Sequence, residues 1–253
     1  MSPFLEIVQK ERVLQVSLNR PDKRNALTAA LCRDLAATIE IAGLNPDVGA
    51  ILLTGNGKSF CAGMDLSEIP PENSEEINQA HEHLFTIGAH LTKPLVAAVH
   101  GAALGGGTGL VANCHIVIAA EDATFGLTEI RLGLWPFLVY RAVESALGNR
   151  RTLEWALTGR IVGAAAAREA GLVHEIAADP REAAWKTAAA IAASSPSAIH
   201  AGMSFVHETR DQDWKSAREI AHRYRKETFE TPDFQEGIRA FHEKRAPKWP
   251  SLE

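Results

Sequence analysis

AAVHGAALGGGTGLVANCHIVIAAEDATFGLTE, residues 97–129, decides how this chain is read. A short apolar strand, Leu95 to Val99, runs into the glycine run Gly105-Gly106-Gly107. An apolar helical segment follows, then a second strand-like run from His115 to Ala119, then Phe125-Gly126 with an acid, Glu129, just beyond. Glycine lets backbone N–H groups approach a ligand closely, and the first N–H groups of a helix have no partner within it. Such donors hold partial or full negative charge. A carboxylate beside them can move a proton. The stretch therefore offers an oxyanion stabiliser and an acid/base. On its own the glycine run also suits a tight turn or close helix packing, and Glu129 also suits a surface.

Working outward, Phe4–Val8 and Val13–Leu18 read as two strands joined by a polar turn. The loop NRPDKRNALT leads into a helix with Thr28 as its N-cap. Leu31, Leu35, Ile39 and Ala42 recur at helical spacing, and Gly43 suits the end. Ala50–Leu53 reads as a buried strand before the loop GNGKSFCAGMD. Asn73 with Glu76 resembles a helix start, the amphipathic stretch reaching about Leu91, and Pro94 opens the next strand. Strands alternating with helices predict a mostly parallel α/β core.

After about Arg150 the chain turns rich in alanine and helix formers. Breaks are expected at Gly159-Gly163, Gly171, Pro180, Pro196 and Pro232, and only Gly171–Ile176 looks strand-like. The alanine run 164–167 reads as a close-packed helix. These features divide the chain into a core, residues 1–196, and a helical C-terminal part, residues 197–253.

The 253 residues are ample for one domain with a substantial core plus a helical annex. A net charge of −5 gives no reason to expect nucleic acid, which requires a basic face. Cys32, Cys61 and Cys114 are widely spaced and form no CxxC pair, which argues against a disulfide framework or a zinc site. The first residues show neither a secretory nor a transit pattern, and no apolar run approaches the ~20 residues of a membrane span. A soluble cytoplasmic protein without membrane, metal or nucleic-acid partners is the expectation.

Several familiar motifs fail. GNGKS at 55–59 lacks the first glycine of a phosphate loop, whose place falls at Leu52. Gly105-x-Gly107-x-Gly109 is not a dinucleotide fingerprint, and no Gly-x-Ser-x-Gly elbow or close metal-ligand constellation occurs. His81 and His83 are expected on a solvated helix face.

Five segments together resemble the crotonase superfamily, also called the enoyl-CoA hydratase/isomerase family. They are LNRPDKRNALT (18–28), SFCAGMDL (59–66), AAVHGAALGGG (97–107) continuing to FGLTEIRLGL (125–134), ALTGRIVGAAAAREAGLVHEI (156–176) and DFQEGIRAFHEKRAPKW (233–249). The resemblance implies an α/β, crotonase-like spiral of ββα units. It further implies a helical C-terminal trimerisation part, and hence a homotrimer or a dimer of trimers. The ligand it implies is an acyl-CoA thioester, with coenzyme A entering as part of the substrate and no other cofactor. Two backbone N–H groups of the family grip the thioester carbonyl oxygen; their matches here are Met64 and Gly106. Ala26, Ala62, Asp65 and Leu66 match positions that contact CoA, and Lys23, Phe241 and Lys244 match positions that approach its phosphates or adenine. Glu129 matches a catalytic acid/base.

That chemistry suits these residue types. Removing a proton next to a thioester carbonyl places negative charge on oxygen, and a carboxylate is too weak a base unless that enolate is stabilised. Two preorganised donors do this, each worth about 3–4 kcal/mol of barrier. Only the N–H of Met64 is needed, so its side chain is free to vary. CoA's distant nucleotide supplies binding energy that positions the reacting carbons.

The chain departs from the pattern in two places. Hydratases of the family carry two glutamates around water, and the position of the first is Gly109 here. Moving a double bond needs one carboxylate, which takes a proton from C2 and returns it at C4. After LGL the chain continues WPFLVYR (135–141), so Trp135, Phe137 and Tyr140 are expected either to reshape the acyl pocket or to pack in the core. His115 stands where an aspartate is common and is read as a structural hydrogen-bonding group. The leading expectation is an enzyme that shifts a proton or double bond of an enoyl-CoA, isomerisation being slightly favoured over hydration. The alternatives are a hydratase adding water to 2-enoyl-CoA and a non-catalytic acyl-CoA-binding subunit.

Overall fold

In a computed structural model, which describes residues 2–68 and 74–252, the chain starts with a hairpin of β1 (Leu5–Lys10) and β2 (Val13–Leu18). Glu11 and Arg12 turn it with φ of 49° and 62°, the doubly left-handed geometry that matches strand twist. Thr28 caps α1 (Ala29–Leu44), its Oγ1 accepting from the N–H of Leu31 at 3.1 Å, and the helix ends one residue beyond Gly43. β3 (Ala50–Gly55) follows. Asn73, the expected start of the next helix, lies outside the described residues; α2 spans Ser74–Thr86 and gives way to a 3-10 turn at Ile87–Ala89 rather than running on to Leu91.

Two ββ turns then wind in succession. β4 (Leu95–Val99) is followed by β5 (Ala102–Leu104) and α3 (Gly106–Ala112); β6 (Ile116–Ala119) is followed by β7 (Thr124–Gly126). β6 pairs parallel with β4, and β7 pairs parallel with β5, so each turn adds one strand to each of two sheets. This is the expected spiral. α4 (Phe137–Leu147), α5 (Asn149–Thr158), β8 (Val162–Gly163), α6 (Ala164–Ala170), β9 (Glu175–Ile176) and α7 (Pro180–Ala192) complete it. Among the described residues the sheets run β1-β2-β3-β4-β6-β9 and β5-β7-β8. The two-residue β8 is a strand that the alternation of the sequence does not reveal.

The central strands β3, β4 and β6 of the large sheet are buried on both faces, which is why they read as unbroken apolar runs, whereas β1 at its edge is largely exposed. Ile51, Leu53, Ala97 and Val99 face α1 and the main core, while Ala50, Leu52, Val96 and Ala98 face the alanine stripe Ala184, Ala188 and Ala192 of α7. The 164–167 run is the close-packed helix expected, with Ala164 and Ala167 buried. Pro180 and Pro196 open α7 and α8 (Pro196–Thr209); α9 (Trp214–Phe229) and α10 (Pro232–Glu243), again opened by proline, follow. α8, α9 and α10 pack on one another and on the C-terminal turn. Cys32, Cys61 and Cys114 are free and buried, and burial pushes the Cys114 thiol up to about 12.

Candidate active site

Three loop ends meet at the N-terminus of α3, and hydrogen bonds set their spacing. Buried Asn25 clamps the first loop: its Oδ1 accepts from Arg20 N–H, and its Nδ2 donates to the carbonyls of Asn56 and Ser59. That clamp brings residues 24–27 alongside residues 61–65. The Ala62 N–H donates to Arg24 O, the Leu27 N–H to Gly63 O, and the Asp65 N–H to Leu27 O. In this short parallel bridge the N–H of Met64 points away from its neighbour strand.

The second component is α3 itself. Cys61 N–H and Cys61 O pair with Ala102 O and Leu104 N–H, laying the 61–64 loop against β5. Gly63 and Gly107 make the approach possible. A β-carbon on Gly63 (φ +97°) would lie 2.8 Å from Leu104 O, and one on Gly107 would overlap Cys61 O. The same β-carbon position on Gly63 is 3.5 Å from the nitrogen of Gly106, so the Gly63–Met64 peptide lies beside that nitrogen. Among the described residues neither Met64 N–H nor Gly106 N–H donates to a protein acceptor. Gly106 is the first residue of its helix, where an unpaired donor is expected.

The third component is Glu129, which starts the 3-10 turn Glu129–Leu132 beyond β7. Thr108 fixes that strand to the helix: its hydroxyl donates to Ala103 O at 2.7 Å and accepts from Gly126 N–H at 3.0 Å. Gly105 N–H also donates to Gly126 O. The Glu129 carboxylate consequently sits on the α-carbon of Gly105, its Oε1 3.1 Å from where a β-carbon would be. Its Oε2 is buried and unpartnered. Burial raises its pKa above the usual carboxylate range, opposed only by its own N–H. Two free donors and one desolvated carboxylate thus flank the same residues, 105 and 106. This arrangement can hold a developing negative charge on an oxygen and exchange a proton with an adjacent carbon.

The family model described as enoyl-CoA hydratase/isomerase matches residues 8–251. The chain belongs to that family. It is 34% identical over 250 residues to a putative enoyl-CoA hydratase of Thermus thermophilus, covering 96% of this chain and 99% of that one. It is 35% identical over 257 residues to an enoyl-CoA hydratase of Mycobacterium tuberculosis, covering 98% and 96%. A crystal structure of an enoyl-CoA hydratase from Mycobacterium smegmatis superposes with a TM-score of 0.92 at 30% identity, covering 98% of this chain and 99% of that one.

Within this enoyl-CoA hydratase/isomerase scaffold, Ala26, Ala62, Met64, Asp65 and Leu66 share the two paired loops next to Gly106, and exposed Lys23 lies on the turn that leads into them. Asp65 is already engaged. Ser67 and then Arg20, at 3.0 Å, hold its carboxyl below the usual range, and it also nucleates the turn Leu66–Glu68. Phe241 and Lys244 stand apart from this cluster: α10 packs mainly on α8, α9 and the C-terminal turn, and Phe241 is 78% exposed.

His81 departs from the sequence reading. It is not solvated; it is 3% exposed, its Nδ1 within 2.9 Å of Ile77 O and its ring stacked on Phe85. Helical periodicity alone did not show it, because α2 buries a face that packs on α1. His83 is on the surface beside Glu40. Phe137 is 71% exposed, so it does not pack in the core; its neighbour Val139 turns inward instead. Trp135 and Tyr140 stack on each other. His115 does serve a hydrogen bond, its Nδ1 accepting from Leu95 N–H at 2.9 Å. Among the described residues no cluster of side chains suits a metal ion, and no helix is long and apolar enough to cross a membrane.

Proposed function

We propose that this chain is an acyl-CoA enzyme that forms a thioester enolate and moves a proton, with double-bond isomerisation of an enoyl-CoA favoured over hydration. The observation that carries the reading is the juxtaposition at residues 105 and 106: free N–H groups of Met64 and Gly106 on one side, the unpartnered Glu129 carboxylate on the other. The thioester carbonyl oxygen accepts from the two N–H groups. Glu129 takes a proton from C2 of a 3-enoyl-CoA; the electron pair of the C–H bond becomes the C1=C2 bond of a dienolate, C3=C4 stays in place, and the carbonyl π pair moves onto oxygen. Charge collects on the carbonyl oxygen. Glu129 then returns the proton to C4, leaving a 2-enoyl-CoA with no net gain or loss of atoms. A base freed of water's hydrogen bonds is stronger, and its raised pKa brings it closer to working pH.

CoA is held in this reading by Ala26, Ala62, Asp65 and Leu66 on the paired loops, with Lys23 nearby. Phe241 and Lys244 contribute from the C-terminal part, residues 197–253, which in a homotrimer would meet a neighbouring copy.

Hydration is the second reading, and relatives named as enoyl-CoA hydratases favour it. It requires water to be held and activated beside the double bond, a task for which Gly109 supplies no side chain. Separate incubation with a 3-enoyl-CoA and a 2-enoyl-CoA tests the order. The expected result is interconversion of the two. Rapid conversion of the 2-enoyl-CoA to a 3-hydroxyacyl-CoA with no double-bond shift rejects isomerisation.

A further inference from the structure

The space above Gly109 is not empty. A β-carbon on Gly109 would overlap Cγ1 of Val139, lie 2.6 Å from its Cβ, and lie 3.4 Å from Cδ1 of Phe85. Val139 projects from the first turns of α4 and is 3% exposed; Phe85, from the end of α2, is 5% exposed. The same Phe85 ring reaches the other component of the site, its Cζ lying 3.1 Å from the β-carbon position of Gly106. Gly109 sits one helical turn beyond Gly105, against which the Glu129 carboxylate packs, and its N–H donates to Gly105 O. Val139 and Phe85 therefore form one apolar wall along α3. It runs from the free donor at residue 106 to the position that the family resemblance assigns to a second glutamate.

We propose that Val139 is the residue that determines reaction outcome: seated on the α-carbon of Gly109, it excludes both a second acid and a water from the reacting carbons. The inference rests on the enolate reading above and deepens it. Water addition breaks an O–H bond, joins the oxygen to C3 and the proton to C2, and needs a polar group to hold the water while this happens. An apolar wall offers no such partner, since a water in a protein interior requires two to four polar contacts. Transfer of a proton from C2 to Glu129 and on to C4 requires no water. A dry wall serves it, because the proton on Glu129 then goes to carbon rather than exchanging with solvent.

The geometry makes the glycine and the valine a reciprocal pair. A side chain at 109 is compatible with the fold only if residue 139 withdraws, and removing Cγ atoms is insufficient because the Val139 Cβ is itself too close. The experiment compares the wild type, Gly109→Glu, the double variant Gly109→Glu/Val139→Gly, and Gly109→Ala/Val139→Gly as a size-matched control without the acid. Each is assayed for hydration of a 2-enoyl-CoA and isomerisation of a 3-enoyl-CoA, with its melting temperature recorded. The expected result is a hydration-to-isomerisation ratio at least tenfold above wild type in the acid-bearing double variant only, with Gly109→Glu alone melting lower and gaining no hydration. Equal hydration by Gly109→Glu with Val139 intact overturns the proposal, as does a folded double variant with an unchanged ratio.

Should the acid-bearing pair not fold, Val139→Ala decides the matter in deuterium oxide. The proposal expects at least twofold more solvent deuterium at C4 of the isomerised product than in wild type; an unchanged share overturns it. Glu129→Gln run alongside separates the two levels. Loss of proton transfer in that variant with no effect at Val139 sinks only the wall, whereas full activity without Glu129 sinks the enolate reading itself.

Discussion

Two carboxylates with oxygens withdrawn from water stand in opposite conditions in this molecule. Glu129 lies against a glycine α-carbon with one oxygen lacking any partner, and burial raises its pKa. Asp233, 2% exposed at the start of α10, accepts from Ser195 Oγ and Ser251 Oγ at 2.6 Å, from Ser197 Oγ at 2.9 Å and from Ser251 N–H at 3.0 Å. Burial pushes that carboxyl up as well, but the hydrogen bonds from Ser195, Ser251 and Ser197 together outweigh it and hold it below its ordinary value. Glu236, one turn on, is gripped by Arg245 and by the N–H of Lys248 and is held down to about 2. The chain thus satisfies the carboxylates that join α8, α10 and the C-terminal turn, and leaves one at the glycine run unsatisfied. A buried polar group without partners costs free energy that folding does not return. On the proposed function, its persistence reflects use on a ligand rather than architecture.

The largest effect expected from this contrast is on catalysis. Glu129→Gln keeps the shape and removes the base, so turnover of a 3-enoyl-CoA should fall about 10²–10⁴-fold while affinity for an unreactive acyl-CoA stays within a few-fold. In the wild type, kcat should decline as pH falls through a pKa above the ordinary carboxylate range, because only the ionised form accepts the C2 proton. A pH profile flat down to the usual glutamate range would show that the carboxylate is solvated in the working enzyme.

Asp233 should behave in the reverse way. Asp233→Ala leaves three hydroxyls and one N–H without their acceptor, and urea unfolding should register a loss of about 3 kcal/mol. A loss under ~0.5 kcal/mol would mean that water replaces the carboxylate readily, and the contrast with Glu129 would then collapse.

How much of this was legible in the sequence follows from how local each signal is. Helix ends were readable where one residue decides them: Thr28 as a cap, Pro180, Pro196 and Pro232 at first turns, Gly159 and Gly171 as left-handed ends. The strands buried on both faces announced themselves as apolar runs. The Glu11-Arg12 turn carries none of the residues that usually favour its geometry, and β8 is too short to show an alternation. Around the glycine run, the sequence pointed to residues 64, 106 and 129 through resemblance and chemistry. It did not point to Thr108, which ties β7 to α3, nor to Val139, thirty residues from the glycine it covers. His81 was misread for the same reason: the burial of α2's inward face depends on α1, and no local period encodes that partner. Phe137 drew attention by its size, yet the small, ordinary Val139 occupies the position next to α3.

The acid response of the C-terminal helices is expected to be smaller and gradual. Arg245 holds Glu236 near 2, below its ordinary value of 4.5, so its contribution is fully present above about 4.5 and is lost as pH falls toward 2. Asp233, also depressed, acts in the same direction. Trp249, whose Nε1 donates to Ala193 O and whose ring packs near Gly237, reports on this region. Its environment, followed by fluorescence in single-tryptophan variants, should loosen between roughly pH 4 and pH 2. Loosening spread instead between pH 6.5 and about pH 4 would implicate His115, which burial, followed by the charge of His207, pushes down from 6.5 to about 4.

The smallest effect returns to Glu129 and has the opposite sign. A carboxyl whose folded pKa is raised above its unfolded value contributes stability below the unfolded pKa and loses it as pH rises through the folded one. At neutral pH the ionised Glu129 therefore weakens the fold, and Glu129→Gln should melt higher than wild type at pH 7–8 even as it loses activity. The gap should close as pH drops below the ordinary glutamate range, where both side chains are neutral. Asp233→Asn, relieving no such burden, should melt lower at every pH above that range. If Glu129→Gln melts lower at pH 7 and the deficit grows with pH, the carboxylate has a cationic or hydrogen-bonding partner in solution. It would then belong with Asp233 and Glu236 among the architectural acids, and the free groups at Met64 and Gly106 would have no base to work with.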